Sequence, residues 1–206
     1  MTAAPDPALL ARIAPTELRP GEDPVTRFVR EARLVQTAVE VTTRDRLAAA
    51  VTEALRAEGA RRVAVAADLA PLRYEMAARL REAGIEAVRY EDVAPDRDAV
   101  RDLDATVTGC MAAVAATGSI VTGGAAGRGG ALVAPVHVCV VERSRLFDGL
   151  LALLRALPDL GAASAIALQT GPSRTADIEK TLILGMHGPK AVHVVVVVDA
   201  PATPAP

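Results

Sequence analysis

Three short segments hold most of the side chains whose types and spacing could carry chemistry. The first runs from 116 to 130 and reads ATGSIVTGGAAGRGG. Glycines lack a Cβ, so backbone N–H groups can turn towards a bound oxyanion, and the hydroxyl groups add further donors. The segment matches neither common nucleotide-binding glycine motif, and a flexible connection between two strands is the plainer interpretation. Its candidate ligand-binding residues are Thr117, Gly118, Ser119, Thr122 and Arg128.

The second segment, GPSRTADIE at 171–179, is predicted to follow a strand and to open a helix. Ligands of parallel α/β sheets bind at the carboxyl ends of strands, where this segment would then lie. Its hydroxyls could cap the helix, and its arginine offers a planar fork for a carboxylate or phosphate. Its acids would complement the positive helix end and repel an anion placed there, so the ligand's charge stays open. The candidates are Gly171, Ser173, Arg174, Thr175, Asp177 and Glu179.

The third segment, GMHGP at 185–189, is predicted to be a turn after that helix. Its candidates are His187 and Gly188, and the histidine could act as acid or base near neutral pH or could be an idle surface residue. The other two histidines, His137 and His193, lie in valine-rich runs and are interpreted as hydrogen-bonded core residues. Three dispersed histidines and two cysteines indicate neither a metal site nor an iron–sulfur cluster in this chain.

The elements that must position these segments alternate between helix and strand. Helices at 43–59 and 71–84 each end at a glycine and are each followed by a short β-rich run, which is typical of parallel βαβ units. The run HVVVVVD at 193–199 is apolar on both faces, as in a central parallel strand. The sequence therefore predicts an α/β fold, a mostly parallel sheet with flanking helices. Further strands are predicted at 105–108, 119–122, 132–133, 136–141 and 164–168, and further helices at 25–39, 95–103, 147–157 and 175–184.

Composition excludes several classes of function. The 206 residues include 23 basic and 25 acidic side chains, and aromatic residues make up only 2%. Nucleic-acid binding needs a basic surface or stacking aromatics, so it is not expected. No apolar stretch reaches membrane-spanning length and no secretion signal is visible, which favours a soluble cytoplasmic protein. The predicted organisation is a proline-rich arm at 1–24, one domain at 25–199 and a Pro/Ala tail at 200–206.

Together, the ATGSIV block, the LVAPVHV block at 132–138 and the GPSRTADIE and GMHGP segments resemble the lactate-utilisation LUD-domain family, LutC type. The resemblance runs from about Val107 to Val198. It implies a fold similar to the phosphosugar isomerase and CoA-transferase group and a role in oxidising L-lactate to pyruvate. Family members generally carry an acid just before the TG pair, where this chain has Ala116.

Two kinds of function follow from the resemblance. In the favoured one, the chain is an accessory subunit of a lactate-oxidising assembly, has no cofactor of its own and binds a small carboxylate or a partner through its loops. Iron–sulfur partner proteins would hold the redox clusters. In the alternative, it is a stand-alone enzyme similar to the isomerases, CoA-transferases or formyl-folate cyclo-ligases of that fold group. Whether the chain forms a homo-oligomer is left open.

Overall fold

The computed structural model describes residues 21–157, 165–176, 182–184 and 188–198, with the backbone alone at 124–128, 175–176 and 182–184. The predicted arm lies outside these residues up to residue 20, and Pro24 already begins a helix whose N-cap is Asp23. The tail also lies outside them. No helix among the described residues is both long and apolar enough to cross a lipid bilayer.

A parallel sheet of six strands forms the main layer of the described fold. In spatial order it contains β1 (Ala38–Thr42), β12 (Ala191–Val197), β7 (Val136–Glu142), β4 (Ala105–Thr108), β2 (Arg62–Val65) and β3 (Glu86–Arg89), and every neighbouring pair is parallel. The valine-rich run forms β12, between β1 and β7, which confirms a central strand buried on both faces. The predicted α/β class with a mostly parallel sheet is thus confirmed.

Apolar side chains cover both faces of this sheet. On one face, α2 (Leu47–Ala57) and α3 (Arg73–Glu82) lay a stripe of Leu, Val and Met against the inward valines of the strands. On the other face, α1 (Pro24–Leu34) and strand β6 (Ser119–Gly123) pack through Phe28 and Ile120. Alternate residues of β7 go to opposite layers, since Val138 and Val140 join the first and Cys139 and Val141 the second. Burial on both faces explains the absence of polar alternation in these strands.

A second, smaller sheet packs beside the first. Its order is β8 (Leu146–Phe147), β5 (Ala112–Val114), β6 and β9 (Ile166–Gln169), with β6 antiparallel to both β5 and β9. The remaining described helices are α4 (Tyr90–Val93), α5 (Arg97–Arg101), α6 (Gly124–Val133) and α7 (Leu150–Ala156). A two-stranded hairpin is formed by β10 (Arg174–Ala176) and β11 (Leu182–Leu184).

Three of the predicted helices and strands differ from the structure. The described ends of the helix predicted at 175–184 are instead the antiparallel strands β10 and β11, and β-branched residues such as Ile183 suit a strand. The strand predicted at 132–133 is the end of α6, so the glycine-rich segment is a strand followed by a helix rather than a flexible connection. The helix predicted at 25–39 stops at Leu34, because Gln36 turns the chain with a positive φ of 63° before β1.

Candidate functional site

The first two candidate segments meet through a chain of hydroxyl groups. Thr117 and Ser119 lie at the turn between β5 and β6, and their side-chain oxygens are 2.7 Å apart. The Ser119 hydroxyl is also 2.7 Å from the hydroxyl of Thr170, the residue before the GPSRTADIE segment. Ser119 is buried, so these bonds tie the two segments together inside the fold.

Both segments also close on the end of helix α1. A Cβ at Gly118 would lie 2.2 Å from the backbone nitrogen of Ala32, and a Cβ at Gly171 would lie 2.3 Å from the carbonyl oxygen of Val35. Both glycines have positive φ angles, 62° and 84°. Arg174 is exposed and donates from Nη2 to the same Val35 oxygen, at 3.1 Å. The glycines of these motifs therefore serve close packing against the backbone of α1.

The position of this cluster corrects the sequence analysis, which placed it at the carboxyl ends of the parallel strands. The Ser173 N–H donates to the Pro189 carbonyl at 2.8 Å, and Gly188 lies against the Ser173 side chain. Pro189 lies two residues before the start of β12, and Val35 lies three residues before the start of β1. The cluster thus lies at the amino ends of those two strands. The prediction failed because β6 and β9 belong to the antiparallel second sheet.

The other candidates of the sequence analysis are scattered or lie outside the description. Thr122 is fully buried on β6, and its hydroxyl has no hydrogen-bond partner among the described residues. The side chains of Arg128 and Thr175 are not described, and Asp177, Glu179 and His187 lie outside the described residues. Thr175 does not cap a helix, because its backbone belongs to β10.

The carboxyl edge of the main sheet instead holds an open cavity of about 640 Å³. It lies where β2, β4 and β7 end, which is where ligands of parallel α/β sheets generally bind. Polar and reactive side chains from the residues that follow these strands line it, together with one from the turn after β1. They are Asp68, Cys110, Glu142, Ser144, Arg145 and Arg44.

The two arginines of this cavity have different partners. Arg44 donates from Nη2 to both carboxylate oxygens of Glu142, at 2.9 and 2.8 Å, so its charge is already paired. Arg145 donates from Nη1 to the carbonyl oxygens of Cys110 and Met111, at 3.4 and 3.2 Å. Carbonyl oxygens carry no net charge, so Arg145 retains the capacity to bind an anion.

Besides Glu142, which pairs with Arg44, the cavity holds a second acid, Asp68, in the short turn Ala67–Leu69 after β2. Partial desolvation by the surrounding cavity wall raises the pKa of this carboxyl, although the residue keeps an exposed face. The Gly109 N–H, which donates to its Oδ1 at 3.1 Å, opposes the shift, and the nearby negative charge of Glu91 adds to it. Glu91 itself accepts from the Ala67 N–H at 2.7 Å and pairs with Arg73. Glu91 therefore positions the turn that carries Asp68.

The two cysteines lie at the same edge. Cys110 lines the cavity and is 9% exposed, whereas Cys139 on β7 is completely buried. A hydrogen bond with the Cys110 thiol and burial raise the pKa of Cys139 well above its ordinary value. Cys139 is therefore a buried core side chain, whereas Cys110 also faces the cavity.

A buried histidine joins the two sheets. His137 on β7 is fully buried, and its Nδ1 is 2.8 Å from Oε1 of Gln169 on β9. Its Nε2 is 2.8 Å from the Thr108 hydroxyl on β4. Burial lowers the pKa of His137 to about 4, and the bond to Gln169 opposes this shift. His137 is thus a hydrogen-bonded core histidine, as predicted. His193 was predicted to be one as well, but it is partly exposed and bonds Glu58 through Nε2 at 2.8 Å.

Sequence reasoning missed the cavity although a signal for it exists. Asp68, Cys110 and Arg145 each come within a few residues of the end of a predicted parallel strand. Motif similarity drew attention to glycine-rich segments, whereas the strand-end rule indicates these three residues. Among the described residues, no three His, Cys, Asp or Glu side chains lie close enough together to hold a metal ion.

Comparison with known proteins places the chain in a family. The family model of the LUD domain matches residues 25–197. A segment of 102 residues is 33% identical to lactate utilization protein C of Deinococcus radiodurans, covering 46% of this chain and 46% of that protein. Another of 108 residues is 30% identical to an uncharacterised protein of Neisseria meningitidis serogroup B, covering 50% of this chain and 46% of that protein. The chain spans about half the length of these relatives.

A solved structure has the same fold. The crystal structure of a DUF162 family protein from Deinococcus radiodurans superposes with a TM-score of 0.65, covering 84% of this chain and 96% of that one at 23% identity. This similarity concerns the fold alone. Family membership is shown by the family model, which matches most of the chain. The chain therefore belongs to the LUD-domain family, a family related to lactate utilisation.

Proposed function

We propose that this chain is a cytoplasmic accessory subunit of an assembly that oxidises L-lactate to pyruvate. The family match and the identity to a lactate utilization protein C support this role. In the proposal, iron–sulfur partner proteins hold the redox centres, because the two cysteines of this chain cannot supply the four thiolates of an ordinary cluster.

The observation that carries the ligand part of the proposal is the polar lining of the carboxyl-edge cavity. L-Lactate and pyruvate each have a carboxylate next to an oxygen on C2. The Arg145 guanidinium matches the carboxylate, and the Asp68 carboxyl lines the same cavity and can accept a hydrogen bond from the C2 hydroxyl of lactate. The cavity volume of about 640 Å³ lies in the range of small-molecule sites. The cavity therefore replaces the glycine-rich segments as the proposed carboxylate site.

Replacing Arg145 tests this site. We expect Arg145→Ala to weaken pyruvate binding by about tenfold or more, because a charge-assisted hydrogen bond to the ligand is lost. Arg145→Lys should recover only part of the affinity, since lysine cannot form the bidentate fork. Isothermal titration calorimetry of the pure chain with pyruvate and with L-lactate measures both effects.

Arg143→Ala is the matched control. Arg143 is two residues away, but its described side-chain partner is Asp23, at 3.3 Å, and it does not line this cavity. Its replacement should leave the affinity unchanged. Equal affinities for wild type and Arg145→Ala, or no binding of either ligand to wild type, would contradict the proposed site.

The partner part of the proposal rests on the surface around Arg174. Arg174 is exposed and donates to the carbonyl of Val35, the residue that follows the exposed Leu34 (73%) at the end of α1. Exposed apolar side chains next to an arginine are typical of surfaces that bind another protein. We therefore assign the GPSRTADIE surface to an iron–sulfur partner.

Co-purification tests this assignment. A tagged chain recovered from native cells grown on lactate should bring iron–sulfur proteins with it, and Arg174→Ala should lose them while its melting temperature stays close to that of wild type. The melting temperature should change little because the described side-chain hydrogen bond of Arg174 is one exposed contact to a carbonyl oxygen. Such a bond contributes about 1 kcal/mol to the free energy of unfolding. Arg79→Ala, at an exposed arginine on α3, is the control and should retain the partners.

Two results would argue against the assignment. One is recovery of the same iron–sulfur proteins with Arg174→Ala as with wild type. The other is recovery of the wild-type chain without iron–sulfur proteins; turnover of acyl-CoA or phosphosugars by that chain would then favour the stand-alone enzyme.

A further inference from the structure

The two cysteines lie side by side although they are distant in sequence. The register of β4 and β7 pairs Thr108 with Cys139, so Cys139 lies beside the end of β4, two residues before Cys110. The Cys139 Sγ is 3.5 Å from the carbonyl oxygen of Gly109, the residue before Cys110. An interaction with the Cys110 thiol contributes to the raised pKa of Cys139. Both belong to the same core cluster. The fold therefore brings the two sulfur atoms together as thiols.

Access to the two thiols differs. Cys110 lines the carboxyl-edge cavity, so a small reagent that enters the cavity meets this sulfur first. Cys139 has no exposed surface and does not line the cavity. One thiol is thus placed to react with a reagent, and the other to react with the product.

We propose that Cys110 and Cys139 are an oxidation site at which a peroxide produces a reversible intramolecular disulfide. In the first step, the Cys110 sulfur attacks one oxygen of hydrogen peroxide, the O–O bond breaks, and a sulfenic acid and one water form. In the second step, the Cys139 sulfur attacks the sulfenic sulfur, the S–O bond breaks, and a second water leaves. The two thiols together lose two protons and two electrons, and the peroxide takes them up to become two waters.

The disulfide would act on the proposed ligand site through the backbone. Arg145 is bound to the carbonyls of Cys110 and Met111, and Asp68 is bound to the N–H of Gly109. A covalent bond from Cys110 to β7 fixes the segment that both side chains hold. Oxidation is therefore placed to regulate the cavity, although the disulfide itself forms without any ligand.

Mass spectrometry of the full chain tests the proposal without a ligand, so its outcome is independent of the lactate proposal. Reduced wild-type chain treated with a few equivalents of hydrogen peroxide should lose about 2 Da, and a thiol reductant should restore the mass. Digestion without reductant should yield one peptide pair joined through Cys110 and Cys139. We expect the oxidised chain to stay monomeric on a non-reducing gel.

Single serine variants separate the roles of the two thiols. Cys139→Ser should accumulate a sulfenic acid on Cys110 that a dione probe such as dimedone traps, whereas Cys110→Ser should take up little probe under the same conditions. The melting temperature of each variant shows whether the variant is folded. If a variant does not fold, the mass change of the oxidised wild-type chain tests the proposal by itself. Addition of oxygen without loss of two hydrogens, cross-links only between chains, or equal labelling of two folded variants would overturn the proposal.

Discussion

Lowering the pH from 7 to 5 should remove about 2 kcal/mol of folding stability through His137 alone. The pKa of His137 is lowered from 6.5 to about 4 in the folded chain because the ring is buried. Between these two values the unfolded chain binds a proton that the folded chain does not bind. Stability from this residue is therefore complete above the unfolded pKa, falls as the pH drops through 6.5, and levels off below about 4. Urea unfolding at pH 7, 6 and 5 measures the loss.

His137→Asn isolates this contribution. The asparagine does not titrate in this range, so the difference between wild type and variant should depend on pH by about 2 kcal/mol between pH 7 and 5. Asp68 acts in the opposite direction, because its raised pKa favours the folded chain as the pH falls, but it is present in both proteins and cancels. Parallel pH profiles for wild type and His137→Asn would show that the buried ring is not responsible.

Gly118→Ala should destabilise the chain by about 3 kcal/mol or more, because two costs add. The first is the positive φ of 62°, which an L side chain rarely adopts. The second is the new Cβ, 2.2 Å from the backbone nitrogen of Ala32, which neither the turn nor helix α1 can avoid without moving. Denaturant unfolding at neutral pH measures the sum.

Gly84→Ala separates the two costs. Gly84 has a similar positive φ of 80°, but no atom lies within 4 Å of its Cβ position. Its replacement should cost only about 1 kcal/mol, the price of the backbone conformation. The difference between the two losses of unfolding free energy measures how closely the turn at Thr117–Ser119 packs against α1. Equal costs at the two positions would show that α1 yields to the new methyl group.

Much of the fold could be predicted from local pattern, because helix α2 carries a clear apolar stripe and β12 is an unbroken run of valines. The strand pair β10–β11 could not be predicted in this way. Each strand is only three residues long, and the residues around β10 fit the capping pattern of a helix as well as they fit a strand. Strand Ala112–Val114 was missed because three small apolar residues have no readable period. Local pattern therefore fails where an element is short and gains its stability from tertiary pairing.

The candidate site was harder to predict than the fold. The GPSRTADIE and TGS motifs do converge, through Ser119 and Thr170, but at the amino ends of β1 and β12. Their position depends on which sheet β6 and β9 join, and single-sequence periodicity contains no information on strand order. Asp68, Cys110 and Arg145 come together only when three parallel strands lie side by side, so no spacing in the sequence shows them as one site.

The strand order has a consequence for synthesis on the ribosome. In the main sheet, β1 pairs only with β12, which follows it by about 150 residues. Until residue 197 has emerged, β1 has no partner in this sheet and the apolar edge of β7 is uncovered. Such long-range pairing makes folding slow and leaves a valine-rich edge open to other chains during translation. The nascent chain must therefore be shielded until its β12 segment arrives, and a truncation before β12 should yield an aggregating product rather than a smaller folded one.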